Sequence, residues 1–325
     1  MINSLRHFSL LLLINLITLQ LIGKDIIQLP NGLINPDVFI YLSTASRYFQ
    51  QNSFNIHDAL TVGPVIPIFF FIINFIIDIF NFENINHITI AKTSAIFMYS
   101  SLFYLFITIH EDLKSKLLAG LVFTAVLRFI PKTTDMLSFN GELFCAVLII
   151  WSLYISINRG HIRYSHIYFV LLTVLVFYTK AQAAPIALLG FYYWYKSEDF
   201  KAIILLSILV MVFVEFILNQ YQLGYFYRIT DYMNYIGHGS SSELTIKDQL
   251  LWTIYSISNH FPVFVGFFIF NLVMRSYSMK ESIFHLLYFA CIVATITIPG
   301  KQFPHYLLLI MPYLALFSAT RKLSL

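Results

Sequence analysis

The stretch IILLSILVMVFVEFIL, Ile203–Leu218, carries a single ionisable side chain, Glu215, in sixteen residues. A run of that length and composition reads as a membrane helix, because lipid offers no hydrogen bonds and the backbone must satisfy its own N–H and C=O groups. Runs of the same kind recur at Phe8–Ile22, Val65–Phe80, Ile88–Ile109, Leu143–Ile157, Phe261–Val273 and Ile283–Ile298, with short polar hinges between them. The predicted fold is therefore an all-α integral membrane protein, a bundle of about ten or eleven hydrophobic helices.

Composition agrees. Charged residues make up 11% of the 325, against roughly 25% in a soluble domain. Hydrophobic residues reach 58%, and the mean hydropathy is +0.75. The expected organisation is a single multi-pass transmembrane domain over residues 1–325. Its two sizeable outer loops are Lys24–Thr61 and Gln220–Gln249, and no separate soluble C-terminal domain is expected. Arg6 and His7 open the first run and no small-residue cleavage site follows, which predicts a retained signal anchor. Cys145 and Cys291 both lie inside apolar runs and read as small buried hydrophobes, silent about redox compartment. The net charge of +4 is scattered over many loops, so nucleic acid is not an expected partner. No phosphate-cradling G-x-x-x-x-G-K-[ST] loop is present, which removes support for ATP-driven transport.

Basic hinges favour the cytoplasmic side. Arg159 with Arg163, Lys196 with Lys201, Arg275 with Lys280, and Arg321 with Lys322 all fall inside under one alternation. Pro131–Glu142, Lys180–Gln182, Gln220–Gln249 and Pro299–Pro304 then face outside. With Arg6 inside, Lys24–Thr61 is also outside, and two apolar segments separate it from the inner hinge at Lys114. Parity requires one of them not to cross, unless Glu111–Lys116 breaks the charge rule. Gly63-Pro64 and Pro67 disturb the start of Val65–Phe80, which is therefore expected to be re-entrant or to lie along the outer interface.

This topology delivers a set of polar residues to one surface. They are Asp37, Arg47, His57 and Asp58 from the first loop; Lys132, Asp135, Asn140 and Glu142 from the second; and then Lys180, Gln182, Asp231, His238, Lys301 and His305. Solvated loop ends account for many of these. Lys180 and Lys301 are different, since each sits in a very short connection hemmed by apolar helices. Asn35-Pro36-Asp37 predicts the start of an amphipathic helix, with Asn35 as cap and Asp37 in the first turn, where the helix dipole favours its ionised form.

Four motifs carry a resemblance. Asp37 opening an amphipathic helix, followed by Gly63-Pro64-Val65-Ile66-Pro67, resembles the first loop of the GT-C glycosyltransferases, such as the protein O-mannosyltransferases and the aminoarabinose lipid A transferases. Ser138-Phe139-Asn140-Gly141-Glu142 is similar to their outward helix-opening junction. Thr179-Lys180-Ala181-Gln182-Ala183-Ala184-Pro185 resembles their lysine-containing break, and Gly300-Lys301-Gln302-Phe303-Pro304-His305-Tyr306 with Met311-Pro312 resembles their late basic-His-Tyr junction. The first loop departs from several of these families in placing Val38 after Asp37, where they carry two adjacent acids.

The resemblance implies a GT-C-like bundle and an inverting transfer of a sugar from a polyprenyl-phosphate donor to a lipid, glycan or protein acceptor. It implies a multi-pass protein of a bacterial inner (plasma) membrane with its site facing outward. In that reading Asp37 is the catalytic base, and Lys301, His305 and Arg47 bind the donor phosphate. Glu142, Lys180 and Gln182 contact sugar or acceptor. No cofactor is firmly predicted: Asp37, His57 and Asp58 offer weak support for a divalent metal, without a ligand spacing to match. The competing expectations are a secondary transporter or flippase of a lipid-linked sugar, for which Asp78 and Glu215 inside apolar runs speak, and a non-catalytic membrane assembly partner.

Overall fold

The computed structural model describes residues 2–30, 36–51, 63–80, 86–195, 197–220, 224, 245–274, 279–297 and 303–317. Among these residues the fold is entirely helical. Helix α1 (Ile2–Thr18) continues through a π turn, Leu19–Gly23, into α2 (Lys24–Gln28). The first rod therefore extends through Lys24 and Asp25 as far as Gln28, residues expected to open the first loop. Lys132 fastens the π turn, reaching the Leu21 carbonyl at 3.2 Å and Asp25 at 3.1 Å.

Helices α3 (Pro36–Gln51) and α4 (Val65–Ile79) pack on each other. Helix α5 (His87–Thr108) is capped by the Asn86 side chain and α6 (Leu113–Phe129) by Asp112. After the single turn of α7 (Thr134–Leu137) come α8 (Gly141–Ile157) and α9 (Ser165–Thr179). A compressed segment follows: a 3₁₀ turn (Ala181–Ala183), α10 (Ala184–Leu188) and a second 3₁₀ turn (Leu189–Tyr193). The chain continues with α11 (Phe200–Gln220), α12 (Ile246–His260), α13 (Pro262–Met274) and α14 (Met279–Thr297). A seven-residue 3₁₀ helix, Pro304–Ile310, then runs into α15 (Met311–Phe317).

Among the described residues three helices are long and apolar enough to cross a membrane: Ser9–Gln28, His87–Thr108 and Phe200–Gln220. A fourth span exists if α12 and α13 count as one, but the two meet at 94°. The break falls at Phe261-Pro262, where proline removes a helix hydrogen bond. Shorter apolar helices accompany these spans: α4, α8, α9, Ser282–Thr297 and Pro304–Phe317.

The packing is that of a membrane protein. Large apolar side chains face outward on the peripheral helices, among them Leu205, Val212, Phe213 and Phe216 on α11. Helix α8 lies at the centre, against α5, α9 and the last helical pair. From His305 to Phe317 every residue is buried.

The two ends of α8 orient the bundle. At its first turn Glu142 meets Lys180, and at its last turn the Trp194 indole donates to Ser156 Oγ at 2.9 Å. Ala181–Tyr193 therefore traverses the height of α8, at about 24 Å for its mixture of 3₁₀ and α rise. The basic hinge carrying Arg159 lies at the Trp194 end, where that side chain also donates to the Tyr193 carbonyl.

Helix α4 leaves and rejoins the Lys180 end. The Gly63 amide at its start donates to the Thr179 carbonyl at 3.0 Å. Its last turns face Asn86 and Ile90 at the start of α5, across an open groove. One turn on from Ile88, Lys92 reaches the Leu29 carbonyl at 2.6 Å, and Leu29 shares a small cavity with Phe139, just ahead of α8. The start of α5 thus belongs to the Lys180 end too.

Candidate functional site

Five chain segments meet where α8 begins. Asn140, fully buried, caps the helix: its Oδ1 accepts from the Leu143 amide at 2.8 Å and its Nδ2 donates to the Asp135 carbonyl at 2.9 Å. Glu142 then falls in the first turn, where the exposed amide dipoles favour a carboxylate. Gly141 is required by the neighbour opposite. A Cβ there would stand 2.9 Å from the Lys180 stem, which crosses directly over the helix start.

Lys180 is delivered by the end of α9, where the backbone turns extended before the 3₁₀ turn. Its ammonium lies 2.7 Å from Glu142 Oε1, which also accepts from Gln182 Nε2 at 3.1 Å. Both members of the ion pair are buried, Glu142 completely. The Tyr306 ring covers the ammonium at 5.4 Å. Burial opposes the charge on Lys180, yet the Glu142 carboxylate, the Tyr306 and Tyr41 hydroxyls and Asp37 outweigh it and hold its pKa well above the usual lysine value.

His305 enters from the start of the last helical pair, stacked on Phe303. One ring nitrogen lies 3.6 Å from Glu142 Oε2 and the other 3.7 Å from Asp135 Oδ2. Among the described residues neither nitrogen makes a hydrogen bond, nor does Glu142 Oε2, although all three atoms are buried. Three such atoms side by side offer a ligand both donor and acceptor contacts.

Helix α3 supplies the fifth wall. Asp37 and Tyr41 are one turn apart on it, and Asp37 is close enough to act on Lys180, Tyr41 and Tyr306 electrostatically. Tyr41 is wholly buried, and its hydroxyl points at the Gly141 backbone without closing a full hydrogen bond.

Of the sequence-predicted residues, Asp37, Glu142, Lys180, Gln182 and His305 converge here. His305, predicted to face a phosphate, has two carboxylates as its nearest charged neighbours. Lys132 is drawn away to the π turn of the first rod. For Arg47 the backbone alone is described, ten residues and about 15 Å along α3 from Asp37. Lys301, His57, Asp58, Asp231 and His238, like the capping residue Asn35, lie outside the described residues. Among the described residues no group of three or more His, Cys, Asp or Glu side chains is arranged to hold a metal ion.

Three cluster members have no site role on sequence alone, although Asp135 is placed on this surface and Tyr306 belongs to the late motif. Asp135 pairs with His305, Tyr306 caps Lys180, and Tyr41 closes the wall. Tyr41 alone is overlooked, and its signal is its position four residues after Asp37 on one helix face. The two acids that favoured a transporter are placed otherwise: Glu215 accepts the Tyr178 hydroxyl at 2.7 Å, and Asp78 is exposed near the end of α4.

Chemically the cluster offers acceptors at Glu142 and Asp37, fixed cationic charge at Lys180, and an imidazole able to donate or accept. Neighbouring hydroxyls of one ligand, each both donor and acceptor, match that set. Comparison with family models, curated proteins and solved structures finds no match to this chain.

Proposed function

We propose that this chain is an inverting membrane glycosyltransferase of the GT-C kind, moving a sugar from a polyprenyl-phosphate donor to a hydroxyl acceptor at the outer face. The observation that carries the reading is the buried cluster itself. A buried Glu142–Lys180 pair is a poor route to stability, since the cost of removing both charges from water rivals their attraction. Charge kept at a membrane depth is more often functional. The unpartnered atoms on Glu142 and His305 beside it suit a polyol ligand.

In this reading the shorter apolar helices and Ala181–Tyr193 also lie in the bilayer, completing a bundle of about ten or eleven hydrophobic helices. The basic Trp194 end is cytoplasmic and the Lys180 end outward, as in a bacterial plasma membrane. Glu142, Lys180 and Gln182 hold sugar or acceptor hydroxyls. Asp37 takes the acceptor proton as the acceptor oxygen bonds to the anomeric carbon, and the bond from that carbon to the phosphate oxygen breaks on the opposite side. Polyprenyl phosphate leaves with the electron pair, its charge met by Lys301, His305 and Arg47.

The test is release of polyprenyl phosphate from a panel of polyprenyl-phosphate sugars by purified protein in lipid nanodiscs. Asp37→Asn is expected to lower that release by about 10²–10⁴-fold with its melting temperature unchanged. Movement of the lipid-linked sugar across the bilayer, with no sugar transfer, would replace this reading with a flippase.

A further inference from the structure

Between α4 and α5 lies an open groove of about 570 Å³. One wall is a rail of Phe69, Ile73 and Ile77, spaced one turn apart on α4, and the other carries Thr89, Thr93 and Phe97 of α5. The rail is about 12 Å long. We infer that this groove seats the hydrocarbon chain of the polyprenyl-phosphate substrate, with its head toward Glu142 and its chain along α4; the inference rests on the transferase reading and adds where the lipid lies.

Three observations choose that occupant. The first α4 residue of the groove wall packs beside the cluster: Phe69 stacks on Phe139 at 5.6 Å and touches Phe144, the two residues that flank Asn140–Leu143. A chain leaving the cluster meets the rail at its first residue. The outer edge of α4, Ile72, Phe75 and Ile76, is apolar and exposed, so the groove opens sideways onto hydrocarbon and not onto water. Finally, α4 leaves and rejoins the Lys180 end, which keeps its groove at the depth of the headgroup it would serve. The volume lies in the range of ordinary small-molecule sites.

The experiment uses full-length protein in phosphatidylcholine nanodiscs and a long-chain polyprenyl monophosphate bearing a diazirine near its head. Cross-links are expected on peptides of α4 and α5, displaced by unlabelled polyprenyl phosphate and not by added phosphatidylglycerol. Ile73→Trp and Thr93→Trp fill the groove from opposite walls, and each is expected to weaken cross-linking about tenfold, equivalent to about 1.4 kcal/mol. Thr93→Leu, a smaller filling, guards against misfolding of the tryptophan variants, and all three are melted beside the wild type. Cross-links elsewhere, equal displacement by phosphatidylglycerol, or unchanged labelling in folded variants would overturn the assignment. The readout needs no sugar transfer. Groove labelling without sugar release sinks the transferase reading alone, whereas release that persists unchanged in the filled variants sinks the groove alone.

Discussion

The two ends of the bundle bury histidine in opposite ways. At the Lys180 end His305 lies between Asp135 and Glu142 with neither ring nitrogen hydrogen-bonded. At the Trp194 end His110, in the α5–α6 connection, bonds to the Ala315 backbone, and burial pushes its pKa down to about 4. Part-way along the last helical pair, His285 meets the Tyr313 hydroxyl at 3.1 Å and packs on Phe317. One end thus sets its imidazole between two carboxylates, whereas His110 has a backbone partner and His285 a hydroxyl. The contrast between these sites is one of charge.

The sharpest way to break this comparison is to remove one charge at the Lys180 end. Glu142→Leu strands the Lys180 ammonium and is expected to cost about 3–5 kcal/mol, read as a fall in melting temperature. Glu142→Leu combined with Lys180→Met should regain most of that stability and none of the sugar release. If the double variant stayed as unstable as the single one, the pair would be an ordinary structural link.

A smaller loss, about 1–3 kcal/mol, is expected for Gly63→Ala, because the new Cβ would stand 1.8 Å from the Tyr178 carbonyl oxygen. The damage should fall on the docking of α4 and hence on lipid cross-linking more than on the Trp194 end. Limited proteolysis of the region around residue 63 checks that placement.

At the Trp194 end the test is pH. His110 has a folded pKa near 4 against a usual value near 6.5. Between those values the unfolded chain binds the extra proton, so stability is fully present above 6.5 and drains away as pH falls toward 4. The slope is about 1.4 kcal/mol per pH unit, or about 2 kcal/mol from pH 6.5 to 5. His110→Asn should flatten that part of the melting profile; an unaltered profile would remove His110 from the account. The smallest effect, about 1 kcal/mol, is expected for Trp194→Phe, which deletes the bond to Ser156 without touching sugar release.

The sequence made the membrane class legible because long apolar runs are a local signal: Ile203–Leu218 lies wholly inside α11. It also marked Glu142, Lys180 and His305, since a charge in a short hinge between apolar runs has few places to go. The fine path of the chain was less legible. Ala183–Tyr195 looks like one more helix by composition, yet it is a five-residue α turn between two 3₁₀ turns, set by the packing of Gly190 against Phe169. The bend at Pro262 was written in the residue itself, but its angle depends on what α13 packs against. Pairing was illegible altogether. Nothing local assigns Lys132 to the π turn or Asp135 to His305, because both contacts join segments far apart in the chain.

The stretched helix Pro304–Ile310 holds length in reserve. Pro312 cannot donate to the carbonyl a turn earlier, so ordinary α winding begins only around it. A 3₁₀ residue advances about 0.5 Å further than an α residue, so rewinding these seven would shorten the rod by about 3.5 Å. With α15 seated against His110 at one tip, that travel would appear at the other, withdrawing the imidazole of residue 305 from its two acids.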